Sequence, residues 1–137
     1  GVGFYYDYVK GCVDRLITSL AAELADHPVA VVGVTPGWLR SEAMLEAFGV
    51  TEETWPEAAA RVPGFGASES PTYVARGVAA LAADAHVSRH HGAVLTARQL
   101  SDEYGVTDVD GSRPDCWGLI RDHGWQDQPL GVIDAYR

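Results

Sequence analysis

The sequence is poor in lysine, in cysteine and in long apolar runs, and each shortage excludes a class of protein. Nine of its 10 basic residues are arginine, which leaves Lys10 as the single lysine. Against 19 acidic residues the formal net charge is -9. A chain whose main partner is nucleic acid needs basic patches to face phosphate, so no nucleic-acid partner is expected. No apolar run approaches the ~18 residues of a membrane span, so no membrane partner is expected either. The two cysteines, Cys12 and Cys116, match no metal-ligand or disulfide spacing. They read as reduced thiols of a cytoplasmic protein. The opening Gly1-Val2-Gly3-Phe4 has neither the basic nor the apolar stretch of a secretory signal, and it lacks methionine. The expectation is a chain cut from within a larger protein.

What is present is an ordinary globular composition, 47% hydrophobic and 21% charged over 137 residues, which corresponds to one domain or part of one. Apolar residues Val9, Val13, Leu16, Leu20 and Leu24 recur at helical steps, which predicts a helix over 5–26 ended by Asp26-His27-Pro28. The β-branched run 29–35 suits a parallel strand buried on both faces, and Pro36-Gly37 ends it. Ser41 caps a helix over 42–48 closed by Gly49, and a further helix leads from Thr51 to Arg61. After a loop at 62–68, Ser70-Pro71 opens a helix running to about Asp84. A polar connection at 85–91 precedes a second strand at 92–96 and one or two helical turns from Leu100 to Tyr104. Residues 105–137 read as an irregular tail in which Trp117, Leu119, Ile120 and Trp125 dock on the domain or on a neighbouring subunit. His86, His90 and His91 lack the further ligands a metal ion needs, so no metal is expected there.

Alternation of helices with short apolar strands indicates an α/β fold with a parallel sheet. Two strands do not make a sheet able to cover these helices. The residues therefore predict the last third or half of an α/β domain with a parallel sheet.

Chemistry points to Tyr6 and Lys10, four apart on one helix face. A tyrosine acting on protons near neutral pH needs its phenolate favoured by about three pK units, roughly 4 kcal/mol. A cation about 4 Å away supplies a contribution of that size at an effective dielectric near 20. Tyr5 and Tyr8 lack such a partner, since their i+4 neighbours are Val9 and Cys12.

Over roughly residues 4–97 the chain resembles the short-chain dehydrogenase/reductase family. The resemblance is carried by Tyr6-x-x-x-Lys10 at the head of a long helix, by Pro36-Gly37-Trp38-Leu39-Arg40-Ser41 after a strand, and by Ser70-Pro71-Thr72-Tyr73-Val74-Ala75 leading to Gly92-Ala93-Val94-Leu95. It implies that residues 1–104 are the C-terminal part of a Rossmann-like doubly wound parallel sheet lacking the N-terminal dinucleotide-binding half, with NAD or NADP as cofactor and hydride transfer to or from a small-molecule carbonyl or alcohol substrate. It implies that Tyr6 is the catalytic acid/base and that Lys10 both lowers its pKa and holds the nicotinamide ribose. Pro36 and Gly37 would shape the turn beside the nicotinamide, while the Leu39 backbone and the Ser41 hydroxyl would hold its carboxamide. Trp38, Met44, Phe48 and Trp55 would line the substrate, with 42–68 as the covering segment. Ser41 and Leu39 stand where the family more often has threonine and a β-branched residue. The resemblance also implies a homo-oligomer through the first helix, on the face bearing Cys12, Arg15, Ser19 and Glu23.

The family's glycine-rich turn, its serine about a dozen residues before the tyrosine and its asparagine are not in these residues, so this chain alone is expected to be inactive. Arg40 has two readings, a ligand for a cofactor phosphate or substrate acid, or an ion-pair arginine. Two further functional readings stay open: a non-catalytic homologue acting as an association module, and an unrelated α/β binding domain.

Overall fold

The computed structural model describes residues 3–125 and 128–137. Gly1 and Val2 of the opening, and Gln126 and Asp127 of the tail, lie outside the described residues. Helix α1 (Phe4–Glu23) leads to strand β1 (Gly33–Thr35), then to α2 (Glu42–Phe48), α3 (Trp55–Arg61) and a 3₁₀ turn at Pro63–Ala67. Next come α4 (Pro71–Ala83), a 3₁₀ turn at Val87–His90, β2 (Val94–Thr96) and α5 (Ala97–Tyr104). Helix α6 (Cys116–His123) and a 3₁₀ segment at Leu130–Tyr136 complete the order.

The fold is α/β, with mostly helices around a parallel pair of strands in which Gly33, Val34 and Thr35 face Val94, Leu95 and Thr96. The predicted strand at 29–35 shrinks to its last three residues, and those residues are not buried on both faces, since Val34 and Thr35 are half-buried. Before them, the Val31 carbonyl accepts the Gly92 N–H at 2.7 Å, but the Val31 N–H goes to a side chain and not to a strand, so the ladder proper begins at Gly33. One further parallel bridge, Leu39 with Glu69, extends the contact beyond the Pro-Gly turn.

Local chemistry sets the helix ends. Ser41 accepts the Met44 N–H at 3.3 Å, and Gly49 closes α2 in the left-handed region at φ 67°. Ser70 caps α4 ahead of Pro71, which needs no N–H partner there. Thr96 and Gln99 form a reciprocal capping box at the start of α5. Asp115 caps α6 by accepting the Gly118 N–H at 2.8 Å. The segment read as an irregular tail thus contains a helix, and it does dock: Leu119 is fully buried with Ala67 and Ile133. Regular structure was hidden there because α6 is only eight residues long and its flanks are rich in glycine, proline and aspartate.

Helix α1 is the exception to good packing. Its one buried residue is Ala21, and Phe4, Tyr5, Tyr8, Val9, Val13 and Leu16 are exposed. The apolar stripe that predicted the helix therefore faces outward. Its C-terminal end is anchored by Ile17, which crowds Gly33, and by His91. The His91 Nε2–H donates to the Ala21 carbonyl at 2.8 Å, and Nδ1 accepts the Val31 N–H at 3.2 Å. That arrangement uses the neutral Nε2-protonated ring in full. His91 is therefore a tie between α1 and the chain entering β1, unlike its exposed neighbour His86.

His91→Ala removes both bonds and leaves two part-buried backbone groups unpaired. The expected loss is about 1–3 kcal/mol, read as a lower urea midpoint of the protein carrying this chain, with faster amide exchange at Val31. An unchanged midpoint would show that α1 is held by other contacts.

Candidate functional site

Tyr6 and Lys10 sit one turn apart on the outward half of α1, and the Lys10 ammonium stands over the Tyr6 ring, 5.4 Å from its centre. The spacing read from sequence is thus realised as a direct cation–ring contact. The phenol is open to solvent, 53% exposed. No hydrogen bond among the described residues joins Tyr6 or Lys10 to the 36–41 turn.

That turn is tightly braced. The Pro36 carbonyl accepts the Trp117 indole N–H at 3.1 Å. The Gly37 N–H donates to Glu69 Oε1. A Cβ at position 37 would overlap the Cys116 Cβ and come within 2.9 Å of Glu69 Oε1, so only glycine lets the backbone approach this closely. The bridge between Leu39 and Glu69 runs through the Arg40 N–H to the Glu69 carbonyl at 2.8 Å, and the Glu69 N–H to the Trp38 carbonyl at 2.9 Å. This pattern turns the Leu39 N–H away from Glu69. It has no partner among the described residues. Two residues on, the Ser41 oxygen accepts from Met44, which leaves its hydroxyl hydrogen free to donate.

Arg40 is settled as an ion-pair arginine. It is 3% exposed, with Nε on the Glu52 carboxylate at 3.0 Å and Nη1 on the Ser68 carbonyl at 2.7 Å. Nη2 lies 3.4 Å from Asp108 Oδ2, and the guanidinium stacks 4.6 Å from the Trp55 ring centre. With its donors so engaged, it has no face left for a cofactor phosphate. Asp108, also buried, accepts the Ser70 N–H at 2.9 Å, the Ser70 hydroxyl and the Val109 N–H at 2.7 Å.

The four residues expected to line a substrate do converge, but on one another. Trp38, Met44, Phe48 and Trp55 are half-buried or packed against the core of Val50, Ala58 and Phe65. Trp38 meets Phe65 and Phe48 edge-on, at 5.6 Å and 6.0 Å between ring centres.

Glu69 escaped sequence reasoning altogether. It is 2% exposed, and its Oε2 is buried without a partner among the described residues. Burial pushes its carboxyl up to about 7 against the pull of the Gly37 N–H, with Asp108 and Asp115 adding to the rise and Arg40 opposing it. Burial likewise pushes the Cys116 thiol up to about 11. A lone glutamate in Ala-Ser-Glu-Ser-Pro looks like a loop residue, and the only available signal was its flanking serines. Ser68 and Ser70 are extended, so they turn to the Arg40–Asp108 side while Glu69 turns oppositely, toward Gly37.

No family model matches the chain. It is 34% identical over 108 residues to mouse (Mus musculus) "Dehydrogenase/reductase SDR family member 1", a match covering 77% of this chain and 34% of that protein. The human (Homo sapiens) protein of the same name is 31% identical over 107 residues, again 77% of this chain and 34% of its own length. The chain therefore spans about a third of the length of these curated relatives. With its parallel strands and its Tyr-x-x-x-Lys helix, the chain belongs to the short-chain dehydrogenase/reductase family.

Removing one side of the buried pair should be costly. Arg40→Met strands the Asp108 charge, with an expected destabilisation of about 3–5 kcal/mol, and the double variant Arg40→Met/Asp108→Asn should recover part of it. Calorimetry of the four proteins in this cycle measures the coupling. Additive losses would mean the two charges do not depend on each other.

Proposed function

We propose that this chain is the C-terminal part of a Rossmann-like doubly wound domain in an NAD- or NADP-dependent oxidoreductase. It would carry the proton-transfer pair for interconverting a carbonyl and an alcohol. The observation that carries this reading is the Lys10 ammonium held over the Tyr6 ring within one helical turn, in a chain whose relatives are named dehydrogenase/reductase.

Tyr6 gives its phenolic proton to the carbonyl oxygen of the substrate, or accepts one from the alcohol in the reverse direction. The Lys10 ammonium stabilises the phenolate left behind and hydrogen-bonds the ribose hydroxyls. A nicotinamide cofactor, when bound, supplies or accepts the hydride. The residues present fit its carboxamide: the unpaired Leu39 N–H and the free Ser41 hydroxyl hydrogen are donors two residues apart, beside a Pro36-Gly37 turn clamped on its other side. Trp38, Met44, Phe48 and Trp55 present an apolar, aromatic wall, which favours an apolar or aromatic substrate. The reading includes a cytoplasmic location and a homo-oligomer.

A second reading is favoured by the outward apolar stripe of α1: a non-catalytic homologue in which that face is an association surface. Tyr6→Phe separates the two. In the protein carrying this chain, with NADH and NADPH each tried against aliphatic and aromatic aldehydes and ketones, the substitution should lower kcat by about 10²–10⁴-fold. Cofactor affinity, read by nicotinamide fluorescence, should stay within about twofold. Equal turnover in both proteins would remove Tyr6 as the acid/base, and none in the wild type would favour the association module.

A further inference from the structure

Glu69 lies opposite the face of the turn that the proposed nicotinamide would occupy, and three features mark it out. Its Oε1 is the acceptor for the Gly37 N–H. Its backbone forms the bridge that turns the Leu39 N–H outward. Its Oε2 is buried with no partner among the described residues, an arrangement that a residue placed only for stability would lack, because an apolar side chain or a paired one costs less there.

We infer that Glu69 is a positioning residue, which acts through Gly37 to hold the Pro36–Ser41 turn in the conformation that receives the nicotinamide end of the cofactor. This rests on the dehydrogenase reading above. The residue does not touch substrate or cofactor; it sets where the Leu39 N–H and the Ser41 hydroxyl stand. The turn is held from behind by α6 as well, through Trp117 on the Pro36 carbonyl and Cys116 against Gly37. Glu69 and α6 thus form two sides of one brace.

The brace carries a pH dependence whose sign follows from burial. Groups facing Glu69 are Arg40 after β1, Tyr73 on α4, Asp108 after α5, and Asp115 and Cys116 at the start of α6. Two of these are carboxylates, against one guanidinium that is already shared with Glu52 and Asp108. With the folded carboxyl near 7 and an ordinary value of 4.5 once solvated, the closed turn holds the proton more tightly than an open one. Stability from this group is intact below 4.5 and is lost as the pH rises toward 7. Any opening that wets Glu69 is therefore favoured by raising the pH, and the KM for cofactor rises with it.

The test uses the full protein with Glu69→Gln, which keeps an acceptor for Gly37 but cannot ionise, and Glu69→Met, which keeps the bulk and loses the acceptor. Cofactor KM and kcat are measured at about pH 6 and about pH 8, alongside amide exchange across 35–41, corrected for intrinsic rates. The wild type should show a KM and a turn exchange that both increase with pH, and Glu69→Gln should flatten both. Glu69→Met should raise the cofactor KM about 10-fold while kcat changes less than about threefold. A Gln variant that keeps the wild-type pH profile, or a Met variant that lowers the melting temperature with KM unmoved, overturns the proposal. Wild-type protein with no nicotinamide affinity overturns the dehydrogenase reading and the positioning role with it. In that case pH-dependent exchange of the turn without any cofactor shows that the brace was read correctly and the ligand was not.

Discussion

A buried ion pair between Arg40 and Asp108 organises most of what surrounds it. Both charges lie out of water, so each must be matched almost completely by hydrogen bonds or the pair would weaken the fold. The matching is done by residues far apart in sequence. Arg40 reaches Glu52 and Ser68, while Asp108 takes both donors of Ser70 and the N–H of Val109. Three stretches are thereby locked together: the one after β1, the one before α4 and the one after α5. Because Ser68 and Ser70 are held on the pair's side, extended backbone sends Glu69 the other way, onto Gly37. The geometry of the Pro-Gly turn is thus a consequence of the ion pair, passed through one alternation of the chain.

This coupling explains why the tail is part of the domain. Asp108 belongs to the segment that reads as irregular, and so do Cys116, Trp117 and Leu119. Removing the tail would uncover Arg40, take the Trp117 donor from the Pro36 carbonyl and open the cluster of Ala67, Leu119 and Ile133. The Pro36-Gly37 turn is supported by Trp117, about 80 positions away, which couples the stability of the end of the chain to the shape of its proposed cofactor site.

The parts legible in the sequence were those governed by near neighbours. Ser41, Ser70 and Gly49 announced the ends of α2 and α4 because capping needs only residues within a turn. Tyr6 and Lys10 were legible for the same reason: helical spacing alone brings them together. The rest depended on partners that composition does not reveal. Arg40 could not be chosen between ligand and ion pair until Asp108 was seen beside it. Glu69 carried no linear mark of burial. The run 29–35 looked like a full strand because β-branched residues favour one, yet pairing lengthens a strand only where a neighbour exists. Trp38, Met44, Phe48 and Trp55 do cluster, but nothing in their order distinguishes a lining from a core.

Helix α1 sharpens the last point. Its internal geometry is as good as any in the structure, since the Lys10 ammonium and the Tyr6 ring meet without help from another element. Its placement is another matter. The anchors at Ile17, Ala21 and His91 all lie in its second half, and the first half exposes Phe4, Tyr5, Tyr8, Val9 and Val13. A helix held at one end can pivot, and a small angle at Ala21 becomes a displacement of several ångströms at Tyr6, about 22 Å along the axis at ~1.5 Å per residue. Proton transfer requires heavy atoms within roughly 3 Å. Catalysis by this pair therefore demands that the outward stripe of α1 be covered by apolar surface, whether from the same polypeptide or from a second copy. The hydrophobic residues that make the helix look poorly packed are the ones that would fix its aim.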